Sequence, residues 1–327
     1  MKKKLILMIC IGFTLVATGL MVATCVGAKN ISLKTVFDSI FAFEDVLDMQ
    51  LVRNGRLPRA LSTALVGGIL SIAGAMMQGV TRNPIAEPSM MGMTQGATLV
   101  VAIATVSSSV FGLAGNTFAA LIGAFASGIM VLLFSMQKAA NMSISRLLLA
   151  GTALSTFFLS MASVIALLGN RSQELAFWIS GGFRTATWKN VMMLLIVGGI
   201  CTLIALTMSK KINIVSLGEE VSIGLGVHPT KVRITTILLL IPMCAVCVAT
   251  AGNIGFVGLV IPHILRKIVG NDYRRLMPLS FLFGSALLIW ADIAARMVNL
   301  PYETPIGLFT ALLGVPMFLY LVRKENS

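Results

Sequence analysis

The feature that most constrains this chain is a series of ten apolar runs that leaves almost no room for anything else. They fall at about 5–28, 60–80, 89–113, 115–136, 147–168, 190–208, 234–252, 254–265, 276–295 and 305–322 of 327 residues. About 20 consecutive apolar residues cross a bilayer core. Hydrophobic residues make up 57% of the chain and charged ones 11%, against about 45–50% and about 25% in soluble domains. An ordinary soluble enzyme, a disordered chain and a secreted disulfide scaffold are therefore excluded. The five cysteines, Cys10, Cys25, Cys201, Cys244 and Cys247, all sit inside apolar runs, and their number is odd. A disulfide framework does not fit that placement. The pattern predicts an all-α integral membrane protein with ten transmembrane helices in a single transmembrane domain, 1–327. One span, Ile254–Leu265, is too short to cross alone at 1.5 Å per residue.

The first run follows Met1-Lys2-Lys3-Lys4 and extends from Leu5 to Ala28. It resembles a signal peptide, and Val22-Ala23-Thr24-Cys25 faintly resembles a lipoprotein cleavage site. Its length exceeds the 7–15 residues of a signal core, so an uncleaved first helix is the better reading. Residues 29–59 read as the first polar loop. Gly112, Gly115 and Asn116 mark a tight turn between the third and fourth runs.

Charge sets the orientation. With the N-terminus inside and the sides alternating, the outer segments carry Lys29, Lys34, Arg53, Arg56, Arg59, Arg171, Arg184, Lys189 and Arg296. The remainder of the 25 basic residues, Lys138 among them, fall inside. Basic residues collect on the cytoplasmic side, so both termini are expected to be cytoplasmic. The net charge of +13 is thus a record of membrane orientation, and no polar helix or loop gathers enough of it to hold nucleic acid.

Catalytic and energy-transducing chemistry is thin. No G-x-x-x-x-G-K-[ST] string is present, so the chain has no phosphate-binding loop for ATP. His228 and His263 lack metal-ligand spacing, and Cys244-Ala-Val-Cys247 lies mid-run, where thiols are inert. No cofactor and no metal site is expected. Asp292 is the one acid within a span, and it stands four residues before Arg296, in reach of an i,i+4 pair. A proton-driven carrier would need a buried carboxylate or histidine relay that is not visible here. Energy is therefore expected from another subunit, and an ion-coupled secondary carrier is the alternative of a different class. The glycines at 67, 68, 74, 123, 128, 198 and 199 are read as close-packing positions between helices.

Two segments look built for partners. Ser209–Arg233 is the longest inner loop. Within it Leu217, Val221, Ile223 and Leu225 recur at near-helical spacing, between glycines and before Pro229. This predicts one or two short surface helices with an apolar face for a cytoplasmic partner. On the other side Arg53, Arg56, Arg59 and Arg296 cluster, either as interfacial anchors or as forks for the carboxylates of an acidic partner.

The same residues carry a resemblance. Arg56-Leu-Pro-Arg59, the glycine-rich run, Gln78, Arg82-Asn83-Pro84-Ile85-Ala86-Glu87-Pro88, Gly181-Gly182-Phe183, Gly252 to Arg266, Ala291 to Arg296 and Glu303-Thr-Pro-Ile-Gly307 together resemble the FecCD family of ABC importer permeases. The resemblance runs from about residue 50 to 322, with Asn253 where the family commonly has proline. It implies a bacterial cytoplasmic-membrane permease that imports an iron complex, foremost a ferric siderophore, with haem or cobalamin as alternatives. It implies pairing with a second permease subunit and a path along their interface. Two ATPases would hydrolyse ATP in separate subunits, docked on Leu217, Gly218, Glu219, Glu220, Val221, Gly224, Leu225, Gly226 and Val227. An extracytoplasmic substrate-binding protein would place glutamates on Arg56, Arg59 and Arg296. Gln78, Asn83, Pro84, Glu87 and Pro88 would lie near the pathway or serve helix packing.

Overall fold

The computed structural model describes residues 2–107, 115–136, 144–300 and 302–325; Gly112 and Lys138 lie outside them. Among the described residues every regular element is helical. In chain order they are α1 Lys2–Cys25, α2 Leu33–Phe41, α3 Leu47–Thr81, α4 Met93–Val106, α5 Gly115–Met136, α6 Ile144–Leu168 and α7 Ser172–Ser180. Then come α8 Trp188–Thr207, α9 Ser209–Ser216, α10 Glu219–Gly224, α11 Pro229–Ala251, α12 Val257–Val269, α13 Tyr273–Met297 and α14 Ile306–Glu325. Seven of these, α1, α3, α5, α6, α8, α11 and α13, are long and apolar enough to cross a membrane. The 13 residues of α12 span about 20 Å at 1.5 Å per residue, short of a ~30 Å core.

The long central helix α3 organises the rest, with α13, α11, α12 and α8 packed around it. Small residues make the closest approaches. A Cβ at Gly74 would stand 1.9 Å from Gly258 O, and one at Gly67 2.3 Å from Gly284 O. These two glycines let α3 lie directly against α12 and α13, the close backbone approach that small residues allow in lipid. Gly199 meets nothing within 4 Å, so the packing expectation fails there; α8 is open on that side. Peripheral α1 packs along α13, where Trp290 Nε1 donates to Leu15 O at 3.2 Å.

The first polar loop proves to be largely helical. Ser32 caps α2 by accepting from Thr35 N, and α3 begins at Leu47, 13 residues before the apolar run that starts at residue 60. The extension passes through a π-helical turn at Val52–Arg56. Such a turn inserts an extra residue into the ladder and carries no signature in hydrophobic periodicity. A second π turn, Leu194–Gly198, interrupts α8. The third run is shortened instead. Pro88–Met91 forms a 3-10 turn, Gly92 is left-handed, and α4 starts only at Met93.

Candidate functional site

Three places carry the residues singled out from sequence. The first is the arginine cluster, formed where the C-terminus of α1, the start of α3 and the end of α13 converge. The last carbonyls of a helix have no partner within it. Arg56, 8% exposed, supplies one for α1: its Nη1 donates to Thr24 O (3.0 Å) and Cys25 O (2.8 Å), and its Nη2 donates to Lys29 O. Arg296, 7% exposed, donates from Nη1 to Ala23 O (3.1 Å) and Val26 O (3.3 Å). Both cations also oppose the negative end of the α1 dipole.

Arg59 makes the ion pairs. Its Nη2 lies 2.8 Å from Asp292 Oδ1 and its Nη1 2.8 Å from Glu303 Oε1. Asp292 is 1% exposed and also takes Arg296 Nε at 3.2 Å through Oδ2. The i,i+4 pair expected from spacing is thus present. Sequence reading missed its second partner, because Arg59 and Asp292 lie on helices far apart in the chain. Glu303 was visible only as part of a motif. It reaches Arg184 Nε at 3.6 Å as well, and Arg184 is exposed.

The second place is the inner loop. Two short helices form there, as its pattern predicts, and they are pinned from beneath. Asn213 on α9 donates from Nδ2 to Asp272 Oδ1 (2.7 Å) and accepts from Tyr273 N (2.7 Å). Burial raises the Asp272 pKa, but donors from Asn213 and Arg274 N, with the charges of Arg274 and Arg275, bring it below the usual carboxylate value. Ser222 on α10 donates to Ile214 O at 3.0 Å. Glu219 lies 3.8 Å from buried Arg233, whose Nε donates to Val80 O at 3.3 Å. The polar side of α10 thus faces the bundle.

The apolar residues on α10 and flanking it face away: Leu217, Val221, Ile223 and Leu225 are 65%, 48%, 57% and 59% exposed. Glu220 is exposed and Val227 half-buried. Gly218 and Gly226 have φ of +129° and +75°, left-handed values that require glycine. Gly224 is within α10 with open space around it.

The third place is the segment after α3. Gln78 donates from Nε2 to Gly258 O (3.2 Å) and Leu259 O (3.4 Å), joining α3 to α12. Asn83 accepts from Ile85 N at 2.9 Å and shapes the turn around Pro84. The chain then leads inward, with Pro88 buried. Glu87 reaches the N-terminus of α12 and accepts from Phe256 N. Phe256 is left-handed (φ +69°), so its N–H is turned away from an ordinary helical start. A carboxylate at a helix N-terminus satisfies an orphan donor and meets the positive end of the dipole. Glu87 lies in a polar connector rather than in a span, and nothing local in the sequence signals its contact with α12.

Glu87 borders two cavities. One is a narrow crevice of about 20 Å³, room for about one water, bordered by Cys244, Cys247 and Gly258. The other is an open cavity of about 560 Å³ flanked by Gln95, Ser180, Asn253, Gly255, Pro305 and Thr310. No group of three or more His, Cys, Asp or Glu that could hold a metal ion occurs among the described residues.

A bundle of helices, seven of them long and apolar enough to cross a membrane, with an open cavity among them, is the architecture of a multi-pass membrane protein. The chain belongs to the FecCD transport family, whose profile matches residues 14–324. It is a multi-pass permease subunit of a bacterial cell-membrane importer. It is 38% identical over 316 residues to the "Iron(3+)-hydroxamate import system permease protein FhuB" of Bacillus subtilis (strain 168), covering 96% of this chain and 82% of that one. It is 35% identical over 322 residues to the "Fe(3+)-citrate import system permease protein YfmD" of the same organism, covering 98% and 96%. The "Hemin transport system permease protein HmuU" of Yersinia pestis is 31% identical over 305 residues, covering 92% and 90%. Among solved structures, an inward-facing ABC transporter described as of metal-chelate type superposes with TM-score 0.84 at 29% identity, over 99% of this chain and 100% of that one.

Proposed function

We propose that this chain carries a ferric chelate, foremost a ferric siderophore, across the membrane, driven by ATP hydrolysed in separate subunits. The relatives named for Fe(3+)-hydroxamate, Fe(3+)-citrate and hemin support an iron complex as cargo. In this reading ten helices cross the membrane, one of them short, with both termini in the cytoplasm. Residues 1–327 form one permease domain, with the coupling segment at about 209–233. A second permease subunit, identical or homologous, completes the path along the open cavity.

The observation that carries the ATPase partnership is the posture of α10. Ser222 and Glu219 tie it to the bundle while Leu217, Val221, Ile223 and Leu225 stand in the open. Such a patch suits a groove in a cytoplasmic ATPase, and Asn213–Asp272 hands its motion on to α12 and α13. At the opposite end Arg56, Arg59 and Arg296 form the floor of the dock for a substrate-binding protein. Their charge, together with exposed Arg184, exceeds that of Asp292 and Glu303, so the surface stays positive towards partner carboxylates.

The test is uptake in cells lacking this chain, complemented in trans. Radioiron should enter as a ferric trihydroxamate in complemented cells only, and purification of the chain should bring an ATPase with it. Restored hemin or cobalamin uptake without restored ferric chelate uptake would move the cargo to those alternatives. Purification without an ATPase, together with uptake sensitive only to an ion gradient, would replace the reading by a secondary carrier.

A further inference from the structure

Glu303 lies between the arginine cluster and the connectors that lead to the large cavity, and it binds both sides. Its Oε1 accepts from Arg59 Nη1 at 2.8 Å, its Oε2 lies 3.6 Å from Arg184 Nε, and its side chain is 28% exposed. Arg59 is fixed in place by Asp292, itself buried and held by Arg296. Arg184 stands on the connector that follows Ser180, which lines the cavity; Gly182 N in that connector donates to Ala251 O at 2.8 Å. Glu303 stands on the connector between α13 and α14, two residues before Pro305, which lines the cavity from the other side. Thr304 N donates to Ala295 O at 3.0 Å, so this connector is anchored to α13 beside the cluster. Next to these connectors α14 approaches the end of α7: a Cβ at Gly307 would stand 3.6 Å from Ser180 O and 3.9 Å from Asn253 O.

We propose that Glu303 is a positioning residue: its carboxylate bridges fixed Arg59 to exposed Arg184 and so holds the two connectors together across the cavity mouth. This rests on the import reading, since it assigns the mouth to the route of the cargo. One carboxylate serves two cations here. An incoming carboxylate of a docking protein would meet the same two cations, so docking and mouth closure compete for one pair of charges. A lone fixed pair, Arg59–Asp292, could not do this, because Asp292 is buried and touches neither connector.

The experiment uses the full chain in lipid nanodiscs, with native cysteines replaced by serine and spin labels at Thr185 and Tyr302, which are exposed and flank the bridge. A second label pair at Lys210 and Lys231 reports on the opposite end. The unaltered bridge should give a narrow distance distribution across the mouth. Glu303→Gln should broaden it and shift it to longer distance, while the 210–231 distribution stays the same. Arg184→Gln, a change at an exposed side chain that leaves the buried pairs intact, should reproduce the shift. An unchanged 185–302 distribution in either variant would overturn the bridge, and so would equal broadening of both label pairs, which reports general loosening. No partner enters this measurement, so its failure removes the bridge and leaves the import reading standing; failure of the uptake experiment removes the route and leaves the bridge.

Discussion

The two ends of this permease solve opposite problems with similar residues. At one end the arginines of the cluster are turned inward. Arg56 and Arg296 satisfy the carbonyls at the end of α1, and Arg59 neutralises Asp292. At the other end the polar groups of α9 and α10 are also satisfied from within, but the apolar face of α10 is left bare. Burying an unpaired charge or carbonyl is expensive, while exposing a small apolar patch is not. A charged docking surface therefore has to double as structure. An apolar one can be kept free for its partner. The expected consequence is that substitutions in the arginine cluster disturb folding and docking together, whereas substitutions on α10 separate assembly from stability.

Asp292→Ala should break this comparison most sharply. It strips Arg59 and Arg296 of their common anion in a site where Asp292 is 1% exposed. Removing one partner of a buried pair costs about 3–5 kcal/mol. Thermal unfolding in detergent should show that loss, along with reduced yield. A melting temperature within error of the unaltered protein would mean that the network is solvated and the cluster free to act as a pure docking surface.

Gly74→Ala tests the packing that keeps both ends in register. Its Cβ would meet Gly258 O at 1.9 Å, backbone that cannot step aside without moving α12. Overpacking of this kind costs about 1–3 kcal/mol. Because α12 begins at the Glu87–Phe256 contact, uptake should fall more than stability does. Equal stability and uptake in the variant would show that α3 and α12 slide freely at this crossing.

Leu225→Asp should leave the unfolding temperature alone, since exposed substitutions stay within about ±0.5 kcal/mol. ATPase assembly and uptake should be lost, because the new charge would be buried unpaired at the contact. Retained ATPase association would remove α10 from the coupling interface and leave its bare face unexplained.

What could be read from sequence follows the same division. The bare face of α10 is local: Leu217, Val221, Ile223 and Leu225 recur over nine residues, and periodicity alone predicts short helices there. The i,i+4 pair of Asp292 and Arg296 is local too. Arg59 with Asp292 and Glu303 is not, because residues more than 200 positions apart meet only once the helices have packed. Helix positions follow the apolar runs closely, but helix beginnings do not. The π turn at Val52–Arg56 lets α3 start among polar residues, and the left-handed Gly92 delays α4. The contact of Glu87 with Phe256 N is not local either, because its polar segment meets α12 only once the turn at Asn83-Pro84 has led the chain inward.

Asp272 offers the smallest effect and the closest control, since it repeats the chemistry of Asp292 at the exposed end. Each carboxylate sits at the end of α13, accepts hydrogen bonds and faces two arginines. Asp272 caps the N-terminus of the helix, accepting from Arg274 N at 3.1 Å and from Asn213 Nδ2 at 2.7 Å, with Arg275 Nε at 3.8 Å. Its side chain is 36% exposed, against 2% for Asp292. Solvent screens such pairs to about 0–1 kcal/mol, so Asp272→Asn should cost under about 1 kcal/mol at neutral pH. The sign with pH follows from its depressed pKa. Stability from the carboxylate is present above the unfolded value, about 3.9, and is lost as pH falls through the lower folded value. The two proteins should therefore differ slightly at pH 7 and converge in acid, as read by unfolding midpoints across that range. A loss as large as that of Asp292→Ala would mean that the α9–α13 junction is as dry as the arginine cluster. Burial would then not be what separates the two ends.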